Sequence, residues 1–235
     1  MTSTIADSEK ARAFDPFAVL SEPTILVRVG GEKDEKKFYI HKQLLVAKSA
    51  YFQRALTSEG FKEGVTNEVV RRDIDSRAFA ALMAWMYSGS WDSMAAMYAD
   101  ETPRLSQITD AYIVADRLFI DCKDSLLDLA ADYFNSNEVP PSNNVIISAF
   151  DSLSSIDSYL RMLVDMWCKY SSIEIPEEGF SDLPIEFHYR VVSLMHRYSK
   201  AYLQFFFTDS YYYKSANSQK GDFADQDELL KTAWD

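Results

Sequence analysis

Three histidines, two cysteines and a few acidic pairs are the residues from which this chain could build a reactive centre. His41, His188 and His196 stand outside any His-x-x-x-His or Cys-x-x-Cys spacing, the patterns that bring zinc ligands onto one face. His188 and His196, eight apart, fall close to one helix face, a pairing too loose to specify a site. Cys122 and Cys168 lie within helical apolar patterns and read as buried, reduced thiols. Gly30-Gly31 opens no phosphate-cradling pattern, and Gly-x-Ser-x-Gly is absent. Glu177-Glu178 and the group Asp225, Asp227 and Glu228 sit in polar stretches and read as solvated faces, not as paired catalytic carboxylates. His41, between a strand and a helix, is expected to satisfy backbone groups at that turn, with Asp34 and Lys42 as solvated charges. The expectation is a chain with no catalytic residues, no metal and no cofactor.

The remaining chemistry is recognition. Phe61-Lys62-Glu63 is flanked by Gly60 and Gly64, which favour an ordered turn. Phe61 could anchor in a partner's apolar pocket while Glu63 sets orientation by pairing with a donor. The competing reading has Phe61 closing this chain's own core and Glu63 in solvent.

Three strands and several helices must position that triplet. Thr24 to Val29 alternates with Ile25, Val27 and Val29 on one face, and Gly30-Gly31 ends it. The charged stretch Glu32 to Lys37 predicts a hairpin tip, and Phe38 to His41 the returning strand. The period then changes: Leu44, Leu45, Phe52 and Leu56 follow helical spacing, with Ser49 as an N-cap between two helices. A third strand is predicted over Asn67 to Ile74. A helix follows over Ser76 to Tyr87, whose stripe is Phe79, Leu82, Met83 and Met86. After a long connection, Gln107 to Phe119 and Asp121 to Asn135 read as an antiparallel helix pair, with Asp121 as cap of the second.

Phe38, Ile40, His41, Lys42, Leu45, Ser49, Tyr51, Phe52, Leu56 and Phe61-x-Glu63, at these spacings, resemble the signature of the BTB/POZ domain, a protein-interaction fold. Phe79, Leu82, Trp85, Met86, Tyr87 and Gly89 resemble the family's next helix, and Ala115-Asp116-Arg117-Leu118 the start of its closing helix pair. The resemblance implies an α+β BTB/POZ fold, a small three-stranded sheet with clustered helices, over residues 23–137. It also implies protein partners, a homodimer among them, and attaches docking on a cullin scaffold of ubiquitin ligases to the apolar-x-Glu triplet Phe61, Lys62 and Glu63. Self-association would draw on Ala47, Tyr51 and Arg54 and on Phe14, Phe17 and Leu20 of a polar arm, residues 1–22. Longer relatives carry a full helix in that arm, whereas Pro16 interrupts it here.

Pro140-Pro141-Ser142-Asn143-Asn144 marks a boundary. Beyond it, residues 138–208 read as an all-helical extension. One helix covers Ile156 to Tyr170, carrying Tyr159, Met162, Leu163, Met166, Trp167 and Tyr170. After an acidic loop, Leu183-Pro184 opens another with Val191, Val192, Leu194, Met195 and Tyr198. This layout resembles the BACK-like extension of fungal BTB proteins. Phe205 to Phe207 read as the buried end of the last helix, and residues 209–235 as an acidic tail.

Composition narrows the function classes. Hydrophobic residues at 47% can fill a sizeable core, while a net charge of −12 opposes the basic face that nucleic acid requires. No apolar run approaches membrane-spanning length, and the first ten residues lack a secretory pattern, so an intracellular chain, cytoplasmic or nuclear, is expected. The leading expectation is an interaction module that self-associates or recruits partners. The alternatives are a substrate adaptor of a cullin-based ligase and a partner-recruited transcription or chromatin regulator.

Overall fold

The structure is a computed structural model and describes residues 21, 23–58, 60–94, 96, 104–171 and 182–197. The arm with Phe14, Phe17 and Leu20, most of the acidic loop, the run Phe205 to Phe207 and the tail lie outside the described residues.

Strand β1 (Thr24–Val29) is the middle of a three-stranded sheet. It pairs antiparallel with β2 (Lys36–His41), Val27 opposite Phe38, and parallel with β3 (Glu68–Arg71), Val27 opposite Val69. Ile25, Val27 and Val29 face the core as the alternation predicts. On the outer face Arg28 makes two hydrogen bonds of 2.9 Å to Glu35 and one of 3.1 Å to Glu68, tying the hairpin connection and β3 to the middle strand. Gly30 turns the hairpin at φ 93°, where an added Cβ would stand 2.9 Å from the Asp34 carbonyl oxygen.

Two strand limits differ from expectation. β2 begins at Lys36, inside the charged stretch, because its pairing with β1 continues to Val29. β3 ends at Arg71, because Asp73 is taken up by the Arg71 guanidinium and Asp75 caps the next helix.

Helices α1 (Lys42–Lys48) and α2 (Ala50–Thr57) meet at Ser49, whose Oγ accepts the Phe52 N–H as the predicted N-cap. The same hydroxyl donates to the Leu118 carbonyl at 2.5 Å, locking the break to a distant loop. The short α3 (Lys62–Thr66) leads into β3. Helix α4 (Ser76–Ser88) buries Phe79, Leu82, Met83 and Met86, the predicted stripe. Helices α5 (Arg104–Arg117) and α6 (Lys123–Asn137) form the antiparallel pair. Asp121 does not cap α6. The N-cap position belongs to Cys122, whose N–H bonds back to the Ile120 carbonyl and leaves Asp121 exposed one residue early.

The all-helical extension begins with a helix before Ile156, where the sequence predicts none and Asn143 and Asn144 read as turn residues. Helix α7 (Asn143–Ser152) buries Val145, Ile146 and Ala149 and packs on α5. Helix α8 (Ser158–Tyr170) follows, buried on almost every side, and then α9 (Ile185–Arg197). Of the residues expected to line α9, Val191 is buried and Leu194 half-buried, Val192 and Met195 are exposed, and Tyr198 lies outside the described residues. Phe187 takes the inward place, edge-on to Phe150 and Trp167.

One hydrophobic core runs from Ile25 in β1 to Val191 in α9 without a break at the prolines. Tyr112 of α5 and Tyr159 of α8 are fully buried and stacked, ring centres 4.5 Å apart. Their hydroxyls are both satisfied. Tyr112 donates to Asp157 at 2.8 Å, and the Tyr159 hydroxyl meets Thr109 Oγ1 at 2.7 Å. Asp157 also accepts the Tyr159 N–H, capping α8, and the Lys123 ammonium at 2.5 Å. Burial works against the charge on Lys123, but the Asp116 and Asp157 carboxylates outweigh it and hold the ammonium above its usual range. Burial first, and Asp157 second, push the Tyr112 hydroxyl far upward, so it stays protonated and donating.

Candidate protein-docking site

Phe61 stands outside the core. It is 52% exposed, in extended conformation just before α3, and Val65 one turn later is 78% exposed. The Phe61 N–H donates to the Ser58 carbonyl and its own carbonyl accepts the Gly64 N–H, both at 3.2 Å, so the backbone under the ring is fixed. Gly64 packs beside the end of α2, where an added Cβ would meet the Leu56 carbonyl oxygen at 3.4 Å, an ordinary contact distance. Asn67 ends α3 in the left-handed region at φ 51° and passes the chain to β3. Lys62 is exposed, and Glu63 is half-buried in the first turn, where a carboxylate suits the helix N-terminus. The result is an apolar pair, Phe61 and Val65, with a charged edge on a hydrogen-bonded turn.

The triplet motif leaves Val65 out, although its place four residues after Phe61 carries the signal.

The self-association residues are less uniform. Ala47 on α1 and Arg54 on α2 are exposed. Tyr51 is half-buried, edge-on to Phe52 at 5.2 Å and covered by the Arg71 guanidinium 4.7 Å from its ring centre. Two hydrogen bonds to Asp73, at 2.9 and 2.8 Å, hold Arg71 there and raise its affinity for its proton. Tyr51 therefore serves the packing between α2 and β3.

The potentially reactive groups are dispersed. Nδ1 of His41 lies 2.8 Å from the Tyr87 hydroxyl, which also accepts the His41 N–H at 3.2 Å. It meets a side chain from α4, not the turn backbone expected of it. Cys122 and Cys168 are buried free thiols, each pushed up to about 12 by burial first and then by a neighbouring aspartate, and are poor nucleophiles at neutral pH. Among the described residues no three His, Cys, Asp or Glu side chains gather as a metal site, and no helix is long and apolar enough to cross a membrane.

A small mixed sheet, a broken helix pair on one side and a closing pair ending at Asn137 is thus the frame that carries the Phe61 patch. A scan against protein-family profiles matches the BTB/POZ domain over residues 21–138, half of the chain. The chain belongs to the BTB/POZ family. A search of curated proteins finds no match. BTB/POZ domains mediate protein–protein interactions, and within this one Phe61, Lys62 and Glu63 sit on α3 and the turn before it, while Ala47, Tyr51 and Arg54 sit on α1 and α2.

Proposed function

We propose that this BTB/POZ chain is a non-catalytic recruiting module that holds a protein partner on the Phe61–Val65 patch. The carrying observation is that two large apolar side chains at a five-residue helix face solvent while the backbone beneath them is pinned. A side chain serving only the core would be covered. One held out on a fixed base is arranged as an anchor, because little conformational freedom is lost on docking. Glu63 beside it supplies direction by accepting from a partner's donor.

The partner favoured by this patch is a cullin scaffold, with the chain as substrate adaptor and the BACK-like helices α7 to α9 as the platform for substrate. Support comes from the apolar-x-Glu order of Phe61, Lys62 and Glu63 together with the exposure of Phe61. The test is a pull-down of a purified cullin N-terminal domain by the full chain and by Phe61→Ala and Glu63→Lys. Binding abolished in both variants, with thermal unfolding unchanged, supports the adaptor reading. Equal capture by all three chains, or by none, removes it.

A further inference from the structure

Helix α9 has two apolar faces. Phe187, Val191 and Leu194 dock on α7 and α8, and Arg190 fastens that side by donating to the Ser155 carbonyl and lying over the Phe150 ring. The opposite face carries Ile185, Tyr189 and Val192, exposed by 88, 74 and 66%, and closes with exposed His196. Their spacing of four, three and four residues places all four on one stripe and reads the same in both directions. The charges at the two ends are opposite: Glu186, which also accepts from Arg190 on the same helix, lies in the first turn, and His196 and Arg197 lie in the last.

We infer that this stripe is a self-association surface on which α9 pairs antiparallel with α9 of a second copy. In that arrangement Tyr189 of each copy meets Val192 of the other, and Ile185 meets His196. The acidic first turn of one helix then lies beside the basic last turn of its partner, and the two helix dipoles oppose. A parallel pairing would instead set like charges side by side. The inference rests on the reading of this chain as an interaction protein, but it uses no residue of the Phe61 patch or of α1 and α2.

The test is a register-specific disulfide in the full chain at low micromolar concentration. Across the twofold axis two copies of residue 192 are offset by only about 5 Å along the helices, whereas two copies of residue 185 are roughly 16 Å apart. Val192→Cys is expected to form an interchain disulfide at least tenfold faster than Ile185→Cys, while the buried native thiols stay out of the reaction. In light scattering, Val192→Glu, an exposed position, is expected to lower the average mass, and Ala47→Glu to leave the α9 crosslink intact. Equal crosslinking by Val192→Cys and Ile185→Cys, or a wild-type monomer throughout the micromolar range, overturns the inference. Absence of cullin capture with the crosslink retained would count against the adaptor reading alone.

Discussion

The Tyr112 hydroxyl donates to Asp157 Oδ1 at 2.8 Å, joining α5 of the BTB/POZ unit to the N-cap of α8, beyond the prolines. Asp157 is buried and serves three donors at once: this hydroxyl, the Lys123 ammonium and the N–H that opens α8. Asp157→Ala removes a helix cap and one partner of a mostly buried ion pair, and should cost about 2–3 kcal/mol. Tyr112→Phe removes one hydrogen bond and should cost about 1 kcal/mol. Urea denaturation of both variants checks the order. A single transition in each would follow from the continuous core.

Ser49 is the second point where distant segments are tied. Its Oγ caps α2 and donates to the Leu118 carbonyl, all within buried surroundings. Ser49→Ala leaves one buried donor and one buried acceptor unsatisfied and should destabilise by about 2 kcal/mol. Thermal unfolding measures it, and a drop below half that value would mean that water or another donor takes over.

Asp110 predicts a pH dependence. Burial first, and the nearby Asp75 carboxylate second, raise its carboxyl to about 6, with Arg77 opposing. The folded chain therefore holds this proton more tightly than the unfolded chain, so the group's contribution to stability is present at low pH and is lost as pH rises through about 6. Asp110→Asn should thus stabilise by about 1–2 kcal/mol at pH 7.5, after allowance for partial exposure, and change little at pH 4. Paired melts at the two pH values decide this. An equal gain at both would remove the electrostatic cause.

Phe119 sits at φ 50°, a left-handed conformation that costs a bulky residue about 1 kcal/mol, and the residue is 67% exposed. Its carbonyl accepts the Ala50 N–H at 3.2 Å, so the backbone is kept there by its neighbours. Phe119→Gly should raise stability by about 0.5–1 kcal/mol, because relief of strain outweighs the packing of a mostly exposed residue. Differential scanning calorimetry reads the sign.

The first half of the chain was legible because its signals were local and mutually consistent. Alternation in Thr24 to Val29, the stripe from Phe79 to Met86 and the Ser49 cap each need only neighbouring residues to be read. The parallel pairing of β1 with β3, between segments forty-two residues apart at Val27 and Val69, is written in no short window. Helix α7 was hidden because Ser142, Asn143 and Asn144 suit a turn and a helix start equally, and packing against α5 decides between them. The two faces of α9 show the same limit: spacing reveals that Val191, Val192, Leu194 and Met195 are helical, but not which side the rest of the fold will cover. Nor could spacing tell whether Phe61 is covered, since that depends on how the turn before α3 sits against the rest of the fold.

The Asp157 knot and the stacked tyrosines fasten α8 to α5, Phe187 fastens α9 to α8, and one core continues from the sheet to α9. A protein gripped at one end and a protein gripped at the other would be kept at a set distance and angle. The chain would work as a gauge between them, so lengthening the Pro140–Pro141 connection should leave their spacing unaltered.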